Sequence, residues 1–393
     1  MHQVRLKPGK EKAITRRHPW IFSGAVQQAD KNIKPGEPVH IISADGNYLA
    51  TGTYSNHSQI RIRILSYSAS ESIDAMFFQE RINRALKLRK RFVQNTNSCR
   101  IIFAESDQLP GLIVDRYADY LVCQFLSAGM EYFKNFIVDQ LEAICRPRGI
   151  FERSDTDSRQ KEGMKPCIGL LRGNEPPELI EVNQDGLSFL VNVRSGHKTG
   201  MYLDQRENRN LIAGLSQNME VLNCFSYTGG FSLAALQVGA KHVINIESSV
   251  AANELYLKQL ELNGLSAEKT ETVAADVFST LREYQKSGQQ FDLIILDPPK
   301  FISSAQQITR GCRGYKDINM QAMKLLKSGG ILVTFSCSGH LSPELFQKVV
   351  ADAAVDAGCS VRILSYLGQP PDHAVTLEFP EGRYLKGLVC YKS

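Results

Sequence analysis

The sequence lacks the patterns that mark secreted, zinc-binding or membrane-spanning proteins. Its nine cysteines include no CxxC pair, and no Cys/His cluster has the spacing of zinc ligands. No apolar run approaches the ~20 residues of a membrane span, and the first residues lack the apolar core of a signal peptide. An odd, unpatterned set of cysteines without a secretion signal indicates reduced thiols. We therefore expect a cytoplasmic chain with no metal site and no membrane partner.

Internal repeats, low-complexity segments and a strong overall charge are also absent, but the charge is unevenly distributed. The formal net charge of the 393 residues is only +5. Residues 1–63 carry ten Lys and Arg against four Asp and Glu, so the positive excess lies in the N-terminal region. This excess fits either an electrostatic footprint for a polyanion such as RNA or a solvated basic face.

The N-terminal region, residues 1–70, has the alternation of short β-strands. Ile60 and Ile62 alternate with Arg61 and Arg63, which places apolar and basic side chains on opposite faces of one strand. The pattern predicts a small β-barrel with a basic outer face.

Two further regions follow. Residues 73–193 begin with a helical pattern in which basic residues are interleaved with an apolar stripe, and strands and a second helix come after it. This mixture predicts an α+β middle domain. Residues 194–393 change to regular β–α alternation with near-continuous apolar strands, which predicts a mostly parallel, doubly wound α/β sheet.

A glycine turn follows the first predicted strand of that alternation. The strand 220–224 runs into the segment 225–231, which contains Gly229 and Gly230. The spacing is not GxGxxG, which excludes the diphosphate clamp of nicotinamide-binding proteins. A tight turn alone would also explain the glycines. Glu247 ends the next strand, where a carboxylate can accept both hydroxyls of a ribose or simply carry a helix N-terminal charge.

The order of the elements predicts the cofactor. Successive strands are followed by a glycine turn, a first acid, a second acid and a proline-bearing loop. The same order is seen in S-adenosylmethionine methyltransferases. Asp276 and Val277 come after the third strand, where an adenine amino group could be bound. We predict S-adenosyl-L-methionine as the cofactor, bound by Phe225, Tyr227, Thr228, Gly229, Gly230, Phe231, Glu247, Ser248, Asp276, Val277 and Asp297.

Two neighbouring strands are each predicted to end in a reactive group. Asp297-Pro298-Pro299 follows the strand 291–296, and Cys337 closes the strand 330–335. Carbon methylation of cytosine needs a thiolate that adds at C6 and an acid near N3. Cys337 and Asp297 are the residue types that this chemistry demands. Methylation of a base nitrogen needs only positioning, and Asp-Pro-Pro suits that reaction as well.

Cys312 is the competing thiol. It lies in a Gly/Arg-rich segment, Arg310–Tyr315, which we predict to be a loop. Because a flexible loop orients a thiol less well than a strand end, Cys337 is preferred as the nucleophile. Lys300 and Arg313 are candidate phosphate contacts or solvated charges.

With these residues in view, the chain resembles the bacterial PUA-domain methyltransferases that make 5-methylcytosine in 23S ribosomal RNA. The motifs that carry the resemblance are Val4–Lys7, Arg17–Phe22, Glu105–Tyr117, Lys198–Arg206, Asn223–Phe231, Asp297–Phe301 and Phe335–Gly339. The resemblance covers the whole length, and its motifs are long and specific.

The resemblance implies three domains: a PUA RNA-binding barrel at 1–70, an α+β domain at 73–193 and a class I, Rossmann-like methyltransferase domain at 194–393. It also implies that Cys337 is the nucleophile. Gln205 and Arg206 would shape the cofactor or substrate cleft, although a capped helix start would explain them too. Candidate RNA contacts are Pro298, Pro299, Lys300, Arg313, Lys7, Arg16 and Arg17.

One departure and two alternatives remain at this point. Many RNA cytosine-C5 methyltransferases carry a second cysteine directly after the prolines, where this chain has Lys300, so the residue that removes the C5 proton is unassigned. The alternatives are a guanine-nitrogen methyltransferase and a non-catalytic RNA-binding or ribosome-assembly protein. The expected partner is large-subunit ribosomal RNA, free or in an assembly intermediate, and a homodimer is possible.

Overall fold

The computed structural model describes residues 1–393, and the chain divides into two units. The first unit comprises residues 1–184, 191–203 and 371–382, and the second comprises 185–190, 204–370 and 383–393. The finer division at residues 1–70, 73–193 and 194–393 stays a prediction.

The first part of the chain, as far as β12, contains twelve strands and five helices. The strands are β1 (His2–Leu6), β2 (Trp20–Phe22), β3 (Val26–Ala29), β4 (Pro38–Ile42), β5 (Tyr48–Tyr54), β6 (Ile60–Ser66), β7 (Ser98–Phe103), β8 (Leu112–Tyr117), β9 (Tyr120–Phe125), β10 (Gly149–Ser154), β11 (Cys167–Gly173) and β12 (Ile180–Gln184). The helices are α1 (Lys12–Thr15), α2 (Ala75–Phe92), α3 (Ala128–Tyr132), α4 (Lys134–Cys145) and α5 (Asp157–Lys161).

Strands and helices alternate in the rest of the chain as far as β19, which is followed by a further strand, β20. They are β13 (Leu187–Val191), α6 (Arg206–Leu215), β14 (Glu220–Cys224), α7 (Gly230–Gln237), β15 (His242–Ile246), α8 (Val250–Leu262), β16 (Thr270–Val273), α9 (Val277–Ser287), β17 (Phe291–Leu296), α10 (Ile308–Leu325), β18 (Leu326–Ser336), α11 (Pro343–Ala357), β19 (Val361–Leu367) and β20 (Lys386–Lys392). None of the helices combines the length and the apolar character that crossing a bilayer requires.

The first sheet of the first unit has six strands in the order β2-β6-β5-β4-β1-β3. Ile62 is fully buried in its core, as the alternation in β6 predicts. The basic outer face is only partly found, because the Arg63 side chain is 12% exposed and donates to Glu162 Oε1 at 2.7 Å. Arg63 therefore neutralises a buried carboxylate and does not extend a basic surface.

The second sheet of the first unit has five strands in the order β11-β10-β9-β8-β7, with α2 and α4 supplying buried side chains to the same core. Asp74 caps α2 by accepting a hydrogen bond from the Phe77 amide at 3.1 Å. Not every basic residue of α2 faces solvent. Arg89 is 3% exposed and donates to both carboxylate oxygens of Asp107, at 2.6 and 2.7 Å.

A buried acid ties the segment 371–382 to the first unit. Asp372 Oδ2 accepts a hydrogen bond from the Arg100 amide at 3.0 Å, and Oδ1 lies 2.8 Å from His373 Nδ1. Burial raises the pKa of Asp372, but the charge and hydrogen bond of His373 and the hydrogen bond from Arg100 outweigh burial. The net pKa of this carboxyl therefore lies below its ordinary value.

The second unit contains a seven-stranded sheet in the order β16-β15-β14-β17-β18-β20-β19. Its strands are parallel except β20, which runs antiparallel to β18 and β19. Helices cover an apolar core built from the buried strands. The prediction of a mostly parallel, doubly wound α/β sheet is confirmed. Ligands of such sheets bind at the carboxyl ends of the strands.

Candidate active site

The carboxyl edge of the sheet brings Asp297 and Cys337 onto neighbouring strands. Asp297 directly follows β17, and Cys337 directly follows β18. The two strands are parallel neighbours, and Leu296 pairs with Thr334 in their register. Both side chains are partly exposed. A carboxylate and a thiol thus stand at adjacent strand ends on one edge.

A chain of amide side chains holds Asp297. Gln205 Nε2 donates to Asp297 Oδ2 at 3.1 Å, and Gln205 Oε1 accepts from Asn208 Nδ2 at 2.6 Å. Asn208 also donates to the carbonyl of Gly368 at 3.1 Å. Because Gln205 is 3% exposed, its orientation is set by the protein and not by solvent. The following Pro298 is buried and stiffens the loop.

Buried hydroxyl groups enclose the backbone around Cys337. Ser336 and Ser338 are both fully buried. Ser336 Oγ donates to the Tyr315 hydroxyl at 2.9 Å, which lies 3.0 Å from Ser338 Oγ. The Ile302 amide donates to Ser338 Oγ at 3.2 Å. Sequence reasoning missed this network, because the Ser-Cys-Ser pattern alone does not identify the tyrosine on α10.

A buried lysine lies against the same backbone. Lys386, at the start of β20, is 4% exposed, and its Nζ donates to the carbonyls of Ser338 at 2.8 Å, Tyr384 at 2.9 Å and Ser336 at 3.4 Å. Burial lowers the pKa of Lys386 to about 8, against the opposing effect of the Cys337 charge. The sequence contains no signal that sets this lysine apart.

The turn after β14 has an unusual backbone. Phe225 and Tyr227 have φ angles of 59° and 49°, and Gly229 has 73°. Non-glycine residues in the left-handed region are strained and cluster at functional sites. A side chain on Gly229 would collide with Tyr256 of α8, so this glycine is required by packing inside the protein. The hydroxyl of Ser226 in the same turn is buried without a hydrogen-bond partner.

The two predicted acids organise the loops beside this turn. Glu247 Oε2 accepts from the Tyr227 amide at 3.0 Å, and Oε1 accepts from the Ser249 amide at 2.8 Å and the Ser248 hydroxyl at 3.3 Å. Asp276 is exposed and caps α9 by accepting from the Ser279 amide at 3.0 Å. Each acid therefore has a structural role in addition to the ribose and adenine contacts predicted for it.

The remaining predicted cofactor residues divide between core and turn. Phe231 is 6% exposed and stacks on Phe335 with ring centroids 5.8 Å apart, and Val277 is 3% exposed in the core. The Thr228 carbonyl accepts from Gln259 Nε2 at 2.7 Å. Of the eleven predicted positions, Phe231 and Val277 are therefore buried, and Thr228 accepts a hydrogen bond through its backbone carbonyl. The acids at the ends of successive strands and the unpartnered Ser226 hydroxyl fit the ribose and amino groups of S-adenosylmethionine.

Arg206 and Arg209 both lie on α6, and Arg209 lies close to Gly230. Arg206 Nε and Nη2 donate to the two oxygens of Asp185, at 2.8 and 2.5 Å. Arg209 is 6% exposed, lies 5.6 Å from the ring centroid of Phe189, and would touch a Cβ placed on Gly230 at 3.1 Å. Burial lowers the pKa of Arg209 to about 10. Sequence reasoning identified Arg206 and missed Arg209, which is the arginine behind the turn.

The competing thiol lies on a helix. Residues 310–315 belong to α10, so the prediction of a Gly/Arg-rich loop is wrong. Cys312 packs against the apolar core, and burial raises the pKa of its thiol. The glycines had suggested a loop. Gly311 instead lets Ile302 approach the helix closely.

The candidate RNA contacts are mostly exposed and lie in both units. Pro299, Lys300 and Arg313 are exposed in the second unit. In the first unit Lys7, Arg16 and Arg17 are exposed. Arg17 lies over the Tyr67 ring at 5.5 Å, and Lys7 Nζ donates to the Gly24 carbonyl at 3.0 Å.

Family profiles match two segments of the chain, and curated relatives match nearly its whole length. The family profile described as a PUA-like domain matches residues 4–67. The profile described as an S-adenosylmethionine-dependent methyltransferase matches residues 163–382. The chain is 47% identical over 388 residues to "Ribosomal RNA large subunit methyltransferase I" of Aeromonas salmonicida (strain A449), with 98% of each chain covered. It is 46% identical over 387 residues to the protein of that name from Escherichia coli O157:H7, again covering 98% of each.

A solved structure shares the fold. A Streptococcus mutans protein, described as a candidate SAM-dependent methyltransferase, superposes with a TM-score of 0.86 at 23% identity, and the match covers 100% of both chains.

Proposed function

The chain belongs to the family of S-adenosylmethionine-dependent methyltransferases that carry a PUA-like domain, and from this membership we propose that it methylates C5 of a cytosine in large-subunit ribosomal RNA. Its relatives carry the name of large-subunit ribosomal RNA methyltransferases. The observation that carries the proposal is the pairing of Cys337 and Asp297 on neighbouring strand ends of the sheet.

The chemistry assigns one role to each residue of the pair. The Cys337 thiolate adds to C6 of the cytosine, and the electrons of the C5–C6 double bond move toward N3, which takes the proton of the Asp297 carboxyl group. S-adenosylmethionine would supply an electrophilic methyl group: C5 would bond to the methyl carbon as its bond to sulfur breaks, and S-adenosylhomocysteine would leave. Loss of the C5 proton then re-forms the C5–C6 double bond and expels the Cys337 thiolate, and the proton on N3 passes to solvent. Asp297, having given up its proton, is a carboxylate on the strand end next to that of the nucleophile and can accept the C5 proton.

The supporting residues position these groups. Gln205 and Asn208 fix the Asp297 carboxylate. The turn 225–230 and the acids Glu247 and Asp276 hold the cofactor, the Pro298-Pro299 loop faces a flipped base, and Lys300 and Arg313 contact phosphates. In the first unit, Lys7, Arg16 and Arg17 bind RNA through its phosphate backbone. The proposal also includes large-subunit ribosomal RNA, free or in an assembly intermediate, as the substrate, together with a homodimeric state and a cytoplasmic location.

Replacing the nucleophile tests the proposal. Cys337→Ala is expected to abolish methyl transfer to ribosomal RNA from a strain lacking the gene, while calorimetry shows unchanged binding of S-adenosylmethionine. Cys312→Ala is the matched control and is expected to keep its activity. Mass spectrometry of the wild-type product should show 5-methylcytosine.

Three outcomes would contradict the proposal. Near-full activity of Cys337→Ala, or a methyl group found on a base nitrogen, would favour the guanine-nitrogen reaction. Binding of RNA without binding of S-adenosylmethionine by the wild-type protein would favour a non-catalytic role.

A further inference from the structure

Lys386 is joined to the backbone on both sides of the proposed nucleophile. Its Nζ donates to the carbonyls of Ser336 and Ser338, which flank Cys337, and to the carbonyl of Tyr384. The ammonium group has three N–H donors, and these three carbonyls use all of them. Because the side chain is 4% exposed, the group sits in a dry site with no carboxylate among its hydrogen-bond partners.

A buried cation without a carboxylate partner is costly, and such groups are retained where their charge has a use. Burial is the largest influence on the pKa of Lys386 and lowers it, as do the charges of Arg383 and Lys300. The negative charge of Cys337 acts in the opposite direction and raises this pKa. An electrostatic attraction is mutual, so the same ammonium stabilises the Cys337 thiolate.

Three other groups near the thiol do not supply this charge. Tyr315 on α10 is buried, and burial raises the pKa of its hydroxyl, so it stays neutral. Asp297 ends the neighbouring strand, and a carboxyl group carries no positive charge in either protonation state. Lys300 is exposed, and solvent screens its charge. Lys386 is therefore the cation placed to stabilise the thiolate from within the protein.

We propose that Lys386 is a positioning residue that fixes the strand end carrying Cys337 and holds its thiol in the reactive thiolate form. The inference rests on the proposed function, in which Cys337 is the nucleophile. The thiol proton passes to solvent, and Lys386 keeps its own proton. A role as the base that removes the C5 proton is not favoured, because the amine would first have to lose its proton and break its bonds to the carbonyls.

The pH dependence of cysteine labelling tests the inference without any methyl transfer. Full-length protein is labelled with iodoacetamide over a range of pH, and peptide mass spectrometry follows Cys337 and Cys312 separately. In the wild type we expect Cys337 to be labelled with a midpoint below the ~8.5 of a free thiol and below that of Cys312. Lys386→Met is expected to raise the Cys337 midpoint by about one pH unit or more, with the Cys312 profile unchanged.

Two variants separate charge from structure. Lys386→Arg keeps the charge and should lie closer to the wild-type profile. Lys392→Met is the matched control, because Lys392 ends the same strand and its Nζ also donates to backbone carbonyls, of Met323 at 2.8 Å and Leu326 at 2.6 Å. This control should leave the Cys337 profile unchanged.

The inference is overturned if the wild-type Cys337 midpoint is not below that of Cys312, a result that does not depend on whether any variant folds. It is also overturned if folded Lys386→Met, checked by calorimetric binding of S-adenosylmethionine, labels like the wild type. In turnover, Lys386→Met should lower kcat by about tenfold at neutral pH, leave KM for S-adenosylmethionine unchanged, and recover as the pH rises. If instead Cys337→Ala keeps its activity while the labelling result holds, the proposed nucleophile is wrong, but the inferred effect of Lys386 on the Cys337 thiol stands.

Discussion

Substitution of Gly229 by alanine should destabilise the second unit because of Tyr256, independently of any bound cofactor. Gly229 has a φ angle of 73° at the start of α7, and a Cβ there would collide with the Tyr256 ring. The ring is 1% exposed and its hydroxyl lies 2.8 Å from Thr270 Oγ1, so it has little freedom to move away.

The size of the effect follows from two contributions. The left-handed conformation costs an alanine about 1–2 kcal/mol, and overpacking against a fixed ring costs about 1–3 kcal/mol. We therefore expect Gly229→Ala to lose about 2–5 kcal/mol. Gly239 is the matched control, because its φ is 89° but nothing lies within 4 Å of its Cβ position. Gly239→Ala should show the conformational cost alone.

Hydrogen exchange of peptides from β14 and α7 measures the opening free energy of the second unit by itself. The double variant Gly229→Ala/Tyr256→Ala should lose less stability than the sum of the two single variants, by about 1–3 kcal/mol. The reason is that the new methyl group has no ring to collide with once Tyr256 is an alanine. If the two single losses add within about 0.5 kcal/mol, or if Gly229→Ala resembles Gly239→Ala, the reasoning is refuted.

Two further predictions concern Asp297 and Asp372. Gln205→Ala should lower kcat about tenfold, because the Asp297 carboxylate loses the hydrogen bond that orients it; steady-state kinetics showing an unchanged kcat would contradict this. The depressed pKa of Asp372 stabilises the first unit above the unfolded-state pKa of about 3.9, and this contribution is lost as the pH falls through the lower folded-state value. Urea unfolding of the first unit, followed by the single tryptophan, should therefore depend more steeply on acid pH in the wild type than in Asp372→Asn, and equal slopes would exclude the effect.

Local periodicity was enough to predict most elements of the second unit. The predicted strands 220–224 and 291–296 have the bounds that the structure shows. Continuous apolar runs identify buried parallel strands, and Pro343 at the first turn of α11 marks a helix start. These signals lie within each segment, so no knowledge of distant contacts was needed.

Glycines misled the prediction where packing overrode propensity. Gly311 and Gly314 lie within α10, where isolated glycines are unfavourable. A Cβ on Gly311 would collide with Ile302, and one on Gly314 would lie 3.3 Å from the Phe301 ring. The helix tolerates both residues because the segment after the Pro-Pro loop packs directly on it.

The sequence by itself determined the order of strands, glycine turn, acids and cysteine, and with it the cofactor class and the candidate pair Asp297 and Cys337. Only the tertiary structure decided which residues support that pair. Gln205 reaches Asp297 across 92 positions of the chain, and Lys386 reaches Ser338 across 48. Strand order and motifs follow from local patterns, whereas a buried hydrogen bond depends on which distant side chain the fold brings within about 3 Å.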